Sequence, residues 1–106
     1  MNQERIKQLI NFIDEDPTDP FPKYALAIEY LQDNKQQSRE LFEELMKNHP
    51  DYIGTYYHAA ALYAELGDSE KAEETYEAGI DRAKALNEAH ALKELQSAYM
   101  NFQFED

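Results

Sequence analysis

The sequence predicts an all-α chain of about six helices, with successive helices antiparallel. Three observations support this prediction. The composition is rich in Ala, Leu, Glu, Lys and Gln and contains no Val, which favours helices over strands. Apolar residues recur at helical spacing in six successive segments, and the connections between the segments are short. The length of 106 residues fits one domain with one core.

The first two helices are delimited by Asp-Pro and Asn signals. Asn2 is a favourable N-cap for the first helix, which Pro17 ends because the residue before proline avoids the α region. Asp19 caps the second helix and Pro20 occupies its first position. We expect this helix to end near Asn34, a residue that tolerates the left-handed conformation. The apolar stripe of the first helix is Ile6, Leu9, Ile10 and Ile13.

Four more helices follow. The third is predicted to end at His49-Pro50, and the fourth to run over residues 53–66 and to end at Gly67. Asp68 or Ser69 caps the fifth helix, and Asn87 is predicted to cap the sixth. The predicted core stripe of the sixth helix consists of Leu92, Leu95, Tyr99 and Phe102.

The segments between residues 20 and 86 form two copies of one pattern. Tyr63 follows Tyr30, and Ala60 follows Ala27, at a spacing of 33 residues. Tyr76 follows Phe42 at a spacing of 34 residues, which places a one-residue deletion in the turn of the first copy. A repeat of this length indicates stacked helix pairs, each of which buries its apolar face against a neighbour.

This pattern resembles the tetratricopeptide repeat family, whose period is 34 residues. The resemblance implies an alpha-alpha superhelix of antiparallel helix pairs. Lys23 and Lys84 depart from the family pattern, since they stand where an aromatic residue and a proline are usual. The matching positions, which the resemblance implies are structural, are Ala27, Tyr30, Phe42, Pro50, Tyr56, Ala60, Tyr63, Gly67, Ala72 and Tyr76.

The resemblance also implies a domain organisation. We expect a single domain over residues 1–106, with capping segments on either side of the two repeats. The predicted parts are an N-terminal capping helix over 1–17, a first repeat over 20–52, a second repeat over 53–86, and a C-terminal capping helix and tail over 87–106.

In the family, the first helix of each repeat lines a concave groove, and this implies the contact residues of this chain. They are Phe21, Tyr24, Ile28 and Leu31 in the first copy, and Tyr57, His58 and Ala61 in the second. The Lys and Asn residues with which some members hold a peptide carboxylate are missing here. The implied function is a non-catalytic scaffold that binds a peptide or helix of another protein in an apolar, aromatic-lined groove.

Two alternatives to this groove stay open. Phe21, Tyr24 and Ile28 could instead pack on the first helix. The chain could also be a structural subunit that forms a homodimer through the groove or through the apolar tail over residues 99–104. An acidic surface has two interpretations, either a site for a basic partner or a solvated outer face. Its residues are Glu40, Glu44, Glu70, Glu73, Glu74 and Glu77.

Charge and segment composition restrict the partners. The net charge of −12 argues against nucleic acid and against anionic membrane surfaces, both of which bind clustered Lys and Arg. We find neither a basic leader with an apolar run nor a stretch of ~18 apolar residues, so a cytoplasmic location is predicted. Cysteine is absent, which excludes disulfides and thiolate metal sites.

The sequence predicts no enzyme, no metal site and no cofactor. The acidic residues around Pro17 fail the calcium-loop pattern, because Asp19 stands where Gly is required and Ala25 where Glu is required. The three histidines are far apart, and the three glycines form no phosphate loop. The cluster around Pro17 is better explained by helix termination.

Overall fold

The computed structural model describes residues 2–105, and all regular structure within that range is helical. The prediction of an all-α chain of about six helices is therefore confirmed. The helices are α1 (Gln3–Glu15), α2 (Pro20–Tyr30), α3 (Lys35–Asn48), α4 (Gly54–Glu65), α5 (Ser69–Ala85) and α6 (Ala89–Phe104). None of them is long and apolar enough to cross a membrane.

The chain divides between Tyr52 and Ile53 into two compact units, the first with α1–α3 and the second with α4–α6. This boundary coincides with the predicted boundary between the two repeats. The assignment of residues 1–17 and 87–106 as caps stays a prediction, and Met1 and Asp106 lie outside the described residues.

In the first unit, α1 and α2 begin at the predicted caps. The Asn2 side chain accepts a hydrogen bond from the Arg5 amide at 3.1 Å, and the Asp19 side chain accepts one from the Phe21 amide at 3.0 Å. Asp16 follows the end of α1, and its carboxylate accepts from both the amide and the hydroxyl of Thr18. These bonds lower the pKa of Asp16 below its ordinary value. The acidic turn therefore serves to end one helix and to begin the next.

The predicted end of α2 near Asn34 is wrong. The helix ends at Tyr30, and Asn34 is the N-cap of α3, where its side chain accepts from the Gln37 amide at 3.2 Å. Its φ of −146° lies outside the left-handed region. The physical reason is that a short polar side chain satisfies a free amide at a helix start, so Asn is as favourable there as at a helix end.

The helices of the first unit pack through small and apolar residues. The Ser38 hydroxyl donates to the Ala27 carbonyl at 2.7 Å, and both residues are fully buried. Such close contact requires the small side chains that the repeat pattern predicts at these positions. Lys23 donates to the Pro17 carbonyl and forms an ion pair with Glu44, with a nitrogen–oxygen distance of 2.9 Å. The lysine that departs from the family pattern thus bonds the start of α2 to α3.

In the second unit, α4 ends at a glycine turn as predicted. Gly67 has a φ of +84°, and the Asp68 amide donates to the Tyr63 carbonyl at 2.9 Å. This pattern satisfies the last carbonyls of the helix and requires a residue that tolerates positive φ. Asp68 then caps α5 by accepting from the Lys71 amide at 3.1 Å.

The prediction that Asn87 caps α6 is wrong. Asn87 has a φ of +56° and lies after the end of α5, where its amide donates to the Lys84 carbonyl and the Glu88 amide donates to the Ala83 carbonyl. Glu88 is the N-cap of α6 and makes no capping bond with its side chain. Asn is the residue that most readily replaces Gly in the left-handed position, and the end of α5 requires that conformation.

The core of the second unit forms where α5 approaches its two neighbours. A β-carbon added to Gly79 would lie 2.6 Å from the Tyr56 β-carbon and 3.3 Å from a Leu95 methyl, so α5 approaches α4 and α6 closely at this glycine. The Tyr76 ring packs against Tyr99 and Phe102 of α6, with centroids 5.5 and 5.6 Å apart. Of the predicted α6 stripe, Leu95 is buried, and Leu92, Tyr99 and Phe102 are partly buried.

Candidate interaction surfaces

The predicted contact residues of the first unit lie along α2. Phe21 is 53% exposed, whereas Tyr24, Ile28 and Leu31 are partly buried. The Tyr24 ring meets the edge of the Tyr52 ring at a centroid distance of 5.3 Å. Burial, and then the neighbouring Tyr52, raise the pKa of the Tyr24 phenol.

The helix α1 packs on α2 beside these residues. The core cluster of the first unit is centred on Ile6 and Leu9 of α1 and on Ala25 and Leu26 of α2. Phe21 is not part of this cluster, and 53% of its surface stays exposed beside α1.

A groove lies between α4 and α6 in the second unit. A hollow of about 410 Å³ opens at one end of it and has Tyr76 of α5 among its lining residues. A second hollow, of about 430 Å³, shares Tyr57, Ala98 and Asn101 with the first and extends to His90 and Glu94. We call the two together the α4–α6 groove. The walls of the first hollow are Tyr57, Ala61, Ala64 and Glu65 of α4, and Ala98, Asn101 and Phe102 of α6 with the adjoining Glu105.

Tyr57 lies where the two hollows meet. It is 43% exposed, and its ring contacts the edge of the His58 ring at a centroid distance of 5.4 Å. His58 itself is partly buried, and this burial lowers the pKa of its imidazole. Tyr76 is buried in the groove, and its pKa is raised by burial and then by the nearby Tyr57 and Glu105.

The structure brings two of the predicted second-copy residues, Tyr57 and Ala61, into this groove. His58 lies beside Tyr57 rather than among the lining residues. Sequence reasoning missed the α6 wall, because α6 lacks the repeat motif. A signal was nevertheless present, since the missed positions 98, 101, 102 and 105 follow the spacing of one helical face.

An acidic hollow between the start of α5 and the end of α6 shares Phe102 with the groove. Its volume is about 570 Å³, and Phe102 and Gln103 form one side of it. Its acidic side carries Glu70, Glu73 and Glu74, which are exposed members of the acidic surface predicted from the sequence. Within residues 2–105, no group of three His, Cys, Asp or Glu side chains is arranged to hold a metal ion.

A comparison with models of known protein families identifies the family of this chain. The family model for the tetratricopeptide repeat matches residues 23–52 and 55–83, which is more than half of the chain. The chain belongs to the tetratricopeptide repeat family. The prediction of this family is confirmed, and proteins with tetratricopeptide repeats generally bind other proteins and are generally non-catalytic.

Solved structures of this family match most of the chain. The crystal structure of a tetratricopeptide repeat domain protein from Salinibacter ruber is 43% identical with a TM-score of 0.78, and the match covers 83% of this chain and 99% of that one. A solution NMR structure of the domain from the same organism gives a TM-score of 0.81 at the same identity, over 86% of this chain and 93% of that one. The crystal structure of MamA, at 21% identity and a TM-score of 0.66 over 92% of this chain and 64% of that one, shows the fold alone.

One curated relative is much longer than this chain. The cellulose synthase operon protein C of Pseudomonas fluorescens (strain SBW25) is 34% identical over 64 residues. The match covers 59% of this chain and 5% of that protein, so the tetratricopeptide repeat chain described here corresponds to a small part of that relative.

Proposed function

We propose that this chain is a non-catalytic interaction module that binds a peptide or helix of another protein in the α4–α6 groove. The observation that carries this proposal is the environment of Tyr57, an aromatic ring 43% exposed in an open groove. Ala61, Ala64 and Ala98 line the groove near it and leave room for side chains of a partner. Aromatic anchors beside small residues are typical of surfaces that accept an apolar side chain.

We propose that α2 carries a second contact patch in the first unit. Phe21, Tyr24 and Ile28 lie on α2 and Leu31 directly follows it. The exposed Phe21 ring supports this role. Exposed aromatic rings are favourable contact residues because they bury a large apolar area with few rotatable bonds.

Affinity capture from the native host, followed by mass spectrometry, tests the groove. Ala61→Arg places a long charged side chain in the groove, and Ala78→Arg makes the same change at an exposed position of α5 outside its lining. We expect Ala61→Arg and Tyr57→Ala to lose a partner that the wild type and Ala78→Arg retain. Retention of every partner by Ala61→Arg would contradict the groove as the binding site.

The second candidate function is a structural subunit that self-associates through the groove or the end of α6. It is supported by Met100 and Phe104, which are 56% and 82% exposed one helical turn apart. Sedimentation velocity over a wide concentration range distinguishes the two functions. A self-associating subunit forms dimers that Met100→Ser with Phe104→Ser disrupts, whereas a strict monomer excludes this function.

A further inference from the structure

We propose that the Tyr76 hydroxyl, at the floor of the α4–α6 groove, donates a hydrogen bond to a main-chain carbonyl of the partner, so that the groove holds an extended peptide rather than a helix. This inference rests on the proposed function and specifies the conformation of the partner. It goes beyond the apolar contacts at Tyr57 and Ala61, which a peptide and a helix could both make.

Tyr76 is a buried tyrosine whose hydroxyl is left without a hydrogen bond. The residue is 5% exposed, and its ring packs against Tyr99 and Phe102. Among residues 2–105, no side chain or backbone group forms a hydrogen bond with the hydroxyl. Buried polar groups are nearly always hydrogen-bonded, so a buried hydroxyl that opens into a groove without a partner points to a ligand.

The hydroxyl faces the first hollow of the groove. Tyr76 is the buried member of the residues that line this hollow, and the others are exposed or partly buried, so Tyr76 forms the floor. Burial raises the pKa of the Tyr76 phenol, and Tyr57 and Glu105, which line the same hollow, raise it further. Because such effects act on the phenol oxygen at short range, the oxygen lies towards these two residues.

The surroundings of the hydroxyl favour a neutral acceptor. A phenol whose pKa is raised stays protonated at neutral pH and can donate. A carboxylate of the partner would meet the like charge of Glu105, whereas a main-chain carbonyl is neutral and occurs at every residue of a peptide. An apolar side chain over the hydroxyl would bury this donor without a partner, which is unfavourable.

The need for a free carbonyl favours an extended segment. In a helix the carbonyls already accept from amides four residues further on, apart from those of the last turn. Ala61, Ala64 and Ala98 line the hollow, and their small side chains let a main chain approach its floor. Side chains of an extended segment alternate between two faces, so one of them can lie beside Tyr57 while a neighbouring carbonyl meets Tyr76.

Asn101 offers a second contact to the main chain. It is exposed and lines both hollows, and its side chain forms no hydrogen bond with residues 2–105. A carboxamide both donates and accepts, so it can pair with the N–H and the C=O of a peptide. Tyr76 and Asn101 thus contact the main chain, and Tyr57 and Ala61 contact an apolar side chain.

Peptides selected on the wild type from a random library of displayed dodecapeptides test the proposal. Tyr76→Phe removes the hydroxyl and keeps the ring. Tyr99→Phe is the matched control, since it removes a hydroxyl that donates to Glu77 outside the groove lining. We expect Tyr76→Phe to weaken binding about three- to tenfold, as for the loss of one hydrogen bond, with an unchanged urea midpoint. Tyr99→Phe should bind the peptides as the wild type does.

Changes in the peptide locate the contact and test its conformation. Replacement of single peptide bonds by esters weakens one carbonyl acceptor at a time. We expect one ester to weaken binding to the wild type and to have a smaller effect on binding to Tyr76→Phe, which shows that the two groups interact. A hydrocarbon staple that holds the peptide helical should weaken binding, and tighter binding of the stapled peptide would overturn the extended conformation.

The outcomes separate this inference from the proposed function. If Ala61→Arg abolishes binding but Tyr76→Phe binds as the wild type does, the hydroxyl contact is overturned and the groove function stands. Equal weakening by Tyr99→Phe also overturns the hydroxyl contact. If no peptide is enriched, or if Ala61→Arg leaves binding unchanged, both the groove function and the inference fail.

Discussion

Substitution of Gly79 by Ala adds one methyl group, which has two opposing effects on stability: a gain in helix propensity and a loss from overpacking. Ala in a helix interior is favoured over Gly by about 1 kcal/mol. At this position, however, the new β-carbon would lie 2.6 Å from the Tyr56 β-carbon, and overpacking typically costs about 1–3 kcal/mol. The contact is with an atom close to the backbone, which cannot move aside alone.

We therefore expect Gly79→Ala to lower the free energy of unfolding by about 1–2 kcal/mol, measured by urea denaturation. A stabilisation of about 1 kcal/mol, as helix propensity alone predicts, would show that α4, α5 and α6 are not in close contact at this glycine.

His58 gives a pH dependence whose sign follows from burial. Its pKa in the folded chain is lowered below the ordinary 6.5, so the unfolded chain binds more protons in the interval between the two values. The contribution of His58 to stability is fully present above pH 6.5 and is lost as pH falls towards the folded pKa. We expect the difference in unfolding free energy between wild type and His58→Gln to shrink as pH is lowered from 7.5 to about 5.5. A difference that grows on acidification would contradict the burial of the imidazole.

At the scale of the helices, the sequence predicts that each helix exists more reliably than it predicts the residue at which the helix begins or ends. Aspartate and proline signal the starts of α2 and α5, and glycine signals the end of α4, so these three boundaries are predictable. Asn34 and Asn87 were assigned the wrong way round, because Asn serves both as an N-cap and in the left-handed position.

The helix α6 provides a matched pair of phenylalanines. Phe102 packs against Tyr76 and is partly buried, whereas Phe104 is 82% exposed. We expect Phe102→Ala to lower the unfolding free energy by about 2 kcal/mol and to speed amide hydrogen exchange in α6. Phe104→Ala should change stability by less than about 0.5 kcal/mol. Equal effects of the two substitutions would contradict the docking of α6 on α5.

At the scale of the whole molecule, the repeat pattern was enough to predict the family, because its small and aromatic positions have direct packing roles. Ala27, Ala60 and Ala72 are fully buried. Only one wall of the α4–α6 groove can be predicted from the sequence. Its α4 wall follows from the resemblance, but its α6 wall belongs to a helix without motif residues.

An NMR titration tests most directly whether the α4–α6 groove is the binding surface. The labelled chain would be titrated with a partner recovered by affinity capture. We predict that the largest amide shift changes occur on both walls of the groove, at Tyr57, Ala61, Ala98 and Asn101. Shift changes confined to the acidic hollow, around Glu70, Glu73 and Glu74, would contradict it.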